Sequence, residues 1–282
     1  MKRLFPPKFA LALALGLALT SPLALAQDDD DSTTSSDDWM FSGSVYGWFP
    51  DIGGRTNFSE GPGGGSIDVP VSDILDNLEF TFQGSFMARK GRWGVFADLI
   101  YLDLSNTQAL DEDEPRIGDV DLPIGVTGTV GIDMTSWIVT TAATYRLGDD
   151  GEGRRVFDLL AGARYMDIDQ TLELSLEGDL GMLPIPGPQS STNVSEGVFD
   201  FIIGMRGRIA YTDDGSWFTP YYFDVGTGDS DITWQGMVGV GYEFGWGDVV
   251  LAYRILDYDM PSDKPIDTLD YSGPALGAVF HW

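Results

Sequence analysis

The stretch YSGPALGAVFHW (271–282) sets Leu276, Ala278, Phe280 and Trp282 at every second position, up to the last residue. Chain ends are ordinarily polar and frayed. An apolar two-residue period carried this far predicts a β-strand with one face against an apolar medium. The same period runs through the rest of the chain. In WQGMVGVGYEF (234–244), Trp234, Val238, Val240, Tyr242 and Phe244 share one face, and Gln235, Met237, Gly239, Gly241 and Glu243 the other. VVLAYRILDY (249–258) opposes Val249, Leu251, Tyr253 and Ile255 to Arg254. VFDLLAGARYM (156–166) opposes Phe157, Leu159, Ala161, Ala163 and Tyr165 to Asp158, Gly162 and Arg164. FIIGMRGRIAY (201–211) opposes Phe201, Ile203, Met205, Ile209 and Tyr211 to Gly204, Arg206 and Arg208.

Short turn signals at 89–92, 148–155, 212–216 and 245–248 alternate with longer polar stretches at 50–78, 107–130, 172–195, 227–230 and 259–268. Short connections on one side and long ones on the other are the mark of an all-β transmembrane barrel, with short periplasmic turns and longer extracellular loops. The count is about ten antiparallel strands: 39–49, 79–89, 92–106, 131–146, 155–170, 196–211, 216–226, 231–244, 248–258 and 270–282. Eight or twelve strands stay open as alternatives. Twelve would follow if GRTNFS and GSIDVPV paired across GPGGG (61–65) as wall strands. Each is too short to span a membrane that needs about 9–11 residues per strand, so a small hairpin in the first loop is expected. VSDILDNL (71–78) reads as one or two helical turns, with Ser72 or Asp73 as the cap, placed at the barrel mouth as rim or plug.

Residues 1–26 carry Lys2, Arg3 and Lys8, then an apolar stretch ending in Ala24-Leu25-Ala26, the pattern of a cleaved signal peptide. QDDDDSTTSSDD (27–38) reads as a disordered acidic leader, leaving the barrel to 39–282. Removing 26 of 282 residues leaves 256, with 13 of the 16 basic residues and all 44 acidic ones, a net charge of −31. That charge excludes nucleic acid as a partner. With no cysteine, an exported chain must take its stability from packing and backbone pairing. The 36 Gly, 8 Trp, 11 Tyr and 16 Phe suit a barrel with aromatic girdles. Trp39, Trp93, Trp137, Tyr145, Tyr211, Trp217, Tyr221, Trp234, Tyr242, Tyr253 and Tyr271 are the expected girdle residues.

The opposite face lines the lumen. Its expected charge network is Glu79, Arg89, Asp98, Arg146, Asp158, Arg164, Asp200, Arg206, Arg208, Asp224, Glu243 and Arg254, with Gln83 beside it. Both signs occur in similar numbers, so the acidic excess belongs to the loops and leader. Ions in a narrow interior need partners, which predicts Arg–carboxylate ladders. Gly162, Gly204, Gly239 and Gly241 are expected to make room for the arginines.

Enzyme chemistry is not expected. The single histidine, His281, falls at the predicted periplasmic end, away from any outer-rim nucleophile. GVGYEFGWG (239–247) lacks the Lys and following helix of a phosphate loop, and DEDEPRIGDVD (111–121) lacks the Gly and Glu placement of an EF-hand. No catalytic residue, cofactor or dedicated metal site is therefore assigned. Divalent cations loosely held by the acidic loops are a candidate partner.

SVYGWFPDIGG, VSDILDNLEFTFQGSFMARKGRWGVFADLIYLDLS and the closing strand together resemble a family of largely uncharacterised proteobacterial outer-membrane β-barrel proteins. The resemblance implies the barrel fold and the outer membrane, and it carries over no ligand residues. The last strand also resembles the signal read by the outer-membrane assembly machinery, carried here by Leu276, Ala278, Phe280 and Trp282, with Trp in place of the usual final Phe. Outer-membrane lipid, lipopolysaccharide and that machinery are the expected partners. Two functions are expected: a narrow passage for small solutes or ions, or a structural or surface-interaction barrel with an ion-paired lumen.

Overall fold

In the computed structural model, described over residues 38–56, 66–109, 116–117, 120–121, 126–149, 154–179, 184–264 and 266–282, the alternating runs become one antiparallel wall. In chain order the elements are β1 (Trp39–Trp48), β2 (Asp51–Thr56), β3 (Ser66–Val69), α1 (Val71–Asp76), β4 (Leu78–Lys90), β5 (Trp93–Ala109), β6 (Arg116–Ile117), β7 (Val120–Asp121), β8 (Val126–Asp149), β9 (Arg155–Asp179), β10 (Pro184–Ala210), β11 (Trp217–Gly228), β12 (Ile232–Phe244), β13 (Gly247–Asp259) and β14 (Ile266–His281). Ten of them, β1, β4, β5 and β8 to β14, each pair with the next, and β14 returns to β1. Backbone N–H and C=O groups in hydrocarbon have no water to bond, so a spanning sheet must leave no edge. The closure runs from Trp48↔Ala275 to Ser42↔His281, and Phe41 and Trp282 exchange backbone hydrogen bonds just beyond it. The expected signal peptide, almost all of the leader and the acidic stretch 111–115 lie outside the described residues.

The two-residue period sorts the wall as expected. Phe201, Ile203, Val238, Leu251 and Leu276 face outward and are exposed, whereas Ile202, Ala252 and Ala275 face inward and are buried. Three strands carry their own ruler. Trp93 and Tyr101, Trp137 and Tyr145, and Trp234 and Tyr242 are each eight residues apart on the outer face. At about 3.3 Å per residue and a tilt of about 40°, that is roughly 20 Å of height, close to the ~25 Å apolar band of such barrels. One ring of aromatics joins Trp93 to Tyr145, Trp217 to Tyr242, Phe244 to Trp246, Trp246 to Phe280, and Phe41 to Trp282. At the other end Tyr101 packs on Trp137 at 4.4 Å and on Phe80 at 5.9 Å. Tyr271 is not in a girdle. Its odd position puts it on the inner face of β14, where it is buried beside Trp48.

Several expected boundaries move. The described residues of the polar stretches 107–130 and 172–195 are strand: β8, β9 and β10 run on as a paired sheet, with 180–183 between β9 and β10. The backbone pairs from Val126↔Gly178 through Thr135↔Asp169 continue the same ladder as in the wall. The reason is visible in TLELSLE (171–177), whose period of two continues past the aromatic ring. The expected small hairpin is β2–β3, paired from Ile52↔Val69 to Arg55↔Ser66, and β2 continues the line of β1 along β14. The turn between β4 and β5 holds Gly91 at φ +57°, a left-handed backbone that favours glycine.

The helix differs in its cap. Neither Ser72 nor Asp73 caps it; Pro70 is the N-cap residue, and the Val71 N–H donates to Asp51 Oδ1 at 2.8 Å. The helix is rim and stopper together: Leu75 is exposed, while Ile74 is buried in the lumen core with Trp48, Ile52, Ile100, Ile138 and Met166.

Candidate functional site

The lumen is where the sequence collects its charges, and it is stratified. Under α1 lies an apolar layer in which Leu256 and Tyr258 are fully buried, together with Met166, Val198, Met260 and Leu269. Side chains from all round the wall meet there, as in barrels of about eight strands, whose interiors are just wide enough to be filled.

Beneath it, two guanidinium groups brace the cylinder. Arg164 on β9 bonds to Asp224 on β11, and donates to Thr140 and Thr233 hydroxyls at 3.3 Å each. Arg164, Asp224 and Thr233 are wholly buried. Arg254 on β13 reaches Asp98 on β5 at 2.8 Å, Gln235 Oε1 at 2.9 Å and the Tyr46 hydroxyl at 3.0 Å. Tyr46 in turn donates to Asp98 Oδ1 at 2.6 Å, and the Trp48 ring lies 4.8 Å from the Arg254 guanidinium. A buried ion needs this many partners, because desolvation otherwise outweighs the Coulomb gain.

Towards the periplasmic end, Arg146 grips Asp158 with two nitrogens, at 2.7 and 3.2 Å. Arg208 bonds Glu243 at 2.8 Å and stands 4.0 Å from Asp248, whose other neighbour is His281 Nε2 at 3.0 Å. His281 is thus an inner-face side chain of the closing strand, set on a carboxylate. Arg206 stands apart. Its guanidinium sits 4.5 Å over the Phe96 ring, and no described carboxylate lies within ion-pair distance.

The expected network therefore forms as separate pairs rather than one ladder. Asp98, Arg146, Asp158, Arg164, Asp224, Arg208, Glu243 and Arg254 are paired. Asp200 is buried but serves the backbone, accepting from Ser230 N–H at 3.0 Å. Glu79 is no lumen residue: the register shifts between Leu78 and Phe80, and the side chain is left exposed at the outer end. Arg89 lies at the periplasmic rim, donating to Gly91 O at 2.9 Å. The interior glycines make room for neighbours other than arginine. A Cβ on Gly204 would meet the Asp224 side chain, on Gly241 the Phe218 ring, on Gly162 Ala142, and on Gly239 Ala252.

Gln235 lies on the inner face where the alternation put it, whereas Tyr46, Tyr258, Thr140, Thr233 and Asp248 were missed as lumen groups. Their inner-face positions were available from the alternation; aromatics and hydroxyls simply carry no charge to draw attention to them. Among the described residues no helix is long and apolar enough to cross a membrane, and no cluster of three or more His, Cys, Asp or Glu could hold a metal.

No protein-family model matches the chain, and no curated protein matches it. Among solved structures it is similar to the outer membrane protease OmpT from Escherichia coli, at 10% identity over 89% of this chain and 99% of that one, with a TM-score of 0.46. It is also similar to the translocator domain of the autotransporter NalP from Neisseria meningitidis (12% identity, 89% and 90% coverage, TM-score 0.28). A third similarity is to the Pseudomonas putida toluene transporter TodX (12% identity, 87% and 89% coverage, TM-score 0.30). At such identities and scores the likeness says nothing of activity. The closed antiparallel wall, the apolar outer band and the two aromatic rings make this chain an outer-membrane β-barrel protein.

Proposed function

We propose that this barrel is closed at rest and acts as a structural or surface-interaction protein of the outer membrane, reached by export with a cleaved signal peptide. The observation that carries the reading is the double seal across the lumen. Arg254, Asp98, Tyr46 and Gln235 bond across the cylinder, and directly outward Leu256 and Tyr258 have no solvent-accessible surface. A water-filled conduit would leave such inner-face groups wet. On this reading the ion pairs brace the wall, lipid and lipopolysaccharide surround it, the terminal strand is what the assembly machinery engages, and no catalytic step is assigned.

The test is conductance. Purified protein inserted into planar bilayers should give no resolved current steps; steady ohmic conductance from the unmodified chain would overturn the reading. A narrow passage for small solutes or ions is the second reading, favoured by a cavity of about 200 Å³ in the periplasmic half of the lumen. It requires the Leu256–Tyr258 layer and α1 to part, so it predicts rare openings rather than a permanent path.

A further inference from the structure

The cavity below the Arg254 brace has a charge and a shape that bracing does not explain. It lies between that brace and the periplasmic mouth, among the lower parts of β1, β13 and β14, and holds about 200 Å³. Its walls include Met87, Phe96, Met237, Val250 and Ala252, all on the inner face. Three charged side chains line it: Asp98, Arg254 and Arg206. Asp98 and Arg254 neutralise each other at 2.8 Å. Asp158, the next carboxylate along the lumen, is held by two nitrogens of Arg146. Arg206 remains with one face on the Phe96 ring and a thioether contact to Met87 Sδ at 4.0 Å. Among the side chains that line this space one positive charge is therefore in surplus, with largely apolar neighbours, while nearer the mouth Arg208 faces two carboxylates, Glu243 and Asp248.

We infer that this half-lumen is a binding site for a small monocarboxylate with a compact apolar body, entering from the periplasmic side. A guanidinium presents its donors as a planar fork that matches a carboxylate two-to-two. The volume fits one ring: an apolar cavity of about 150 Å³ is known to admit benzene. Phe96, Met87, Met237 and Val250 would cover the ring, and the polar edge of Ser42, Ser44 and Ser85 can accommodate the remaining water. Entry from outside is closed by the Arg254 brace, which leaves the mouth beside Arg208, Glu243 and His281. The inference concerns the inner half of the lumen alone and stands whether or not the outer half ever conducts.

The probe is benzoate, titrated against the full barrel in zwitterionic nanodiscs and read by saturation-transfer NMR and calorimetry. Saturable binding is expected, about tenfold tighter than benzamide, which lacks the charge, and about tenfold tighter than acetate, which lacks the ring. Arg206→Met should weaken benzoate by about tenfold, with Arg206→Lys in between. Val250→Phe should abolish binding by filling the space while leaving Arg206 in place. Folding of each variant is checked by its denaturant midpoint. If Arg206→Met fails to fold, the comparison of benzoate with benzamide on the unmodified barrel and the Val250→Phe result decide. Absence of saturable benzoate binding, equal affinity for benzamide or acetate, or unchanged binding in folded Arg206→Met or Val250→Phe would each overturn the inference; acetate matching benzoate would identify a general anion site without an apolar pocket.

Discussion

The side-chain amide of Gln83 takes the place of a neighbouring backbone for Trp48: its Oε1 accepts from Trp48 N–H at 2.6 Å, and its Nε2 donates to Trp48 C=O at 3.3 Å. The β1–β4 ladder ends at Val45↔Gly84, so Trp48 has no backbone partner in that ladder. Gln83 closes that gap. Gln83→Leu would leave two backbone groups unpaired inside the wall and is expected to cost about 1–3 kcal/mol. Denaturant unfolding from vesicles measures it, and the Trp48 amide should lose its protection from hydrogen exchange in the same variant. Unchanged stability would mean that water already serves these groups.

Breaking a buried pair costs more than removing it. Asp224→Asn leaves the wholly buried Arg164 without its countercharge and is expected to destabilise by about 3–5 kcal/mol. The double variant Arg164→Met, Asp224→Leu should recover much of the loss. A double-mutant cycle with no coupling would contradict the pairing.

Ile74 is the outermost stopper but not the last. Ile74→Asp should loosen α1 and raise its protease sensitivity, yet leave planar bilayers silent, because Leu256 and Tyr258 remain closed beneath it. Conductance after this one change would make α1 the sole seal.

The aromatic ruler fixes where the membrane sits. Val238 lies midway between Trp234 and Tyr242 and faces outward, so Val238→Arg should cost about 2–4 kcal/mol on folding into vesicles. Asp103→Arg, two residues beyond Tyr101 on the same face, should cost close to nothing. Equal penalties at the two positions would displace the band.

In the short turn between β10 and β11, hydrogen bonds from Thr212 and Ser216 hold the Asp214 carboxyl below its ordinary range. A depressed carboxyl stabilises the fold at pH above its unfolded value near 3.8, and the contribution fades as pH falls through the lower folded value. Trp217 fluorescence should therefore report a loosening of the turn on acidification, and Asp214→Asn should abolish that pH dependence.

What the sequence made legible follows from what a two-residue period encodes. It assigns each side chain to a face, so the lipid-facing Leu251 and Leu276, the lumen-facing Arg164 and Arg254, and the ten-strand count could all be read in advance. It does not encode which inner-face residues meet. Arg254 and Asp98 are 156 positions apart and come together only through the shear of the closed cylinder. Strand length escaped for a related reason: TLELSLE is polar enough on average to resemble a loop, while its alternation already belonged to β9. Glu79 was misplaced because a single register shift reverses the face.

The lengthened strands also give the outer end a direction. Beyond Val198, β10 runs 14 residues further, roughly 46 Å along the strand at about 3.3 Å per residue, and β8 and β9 accompany it. On β11 and β12 the chain turns back within residues 229–231. A visitor moving across the cell surface would meet a parapet on one flank and a low sill on the other, so docking from above should be biased towards the sill.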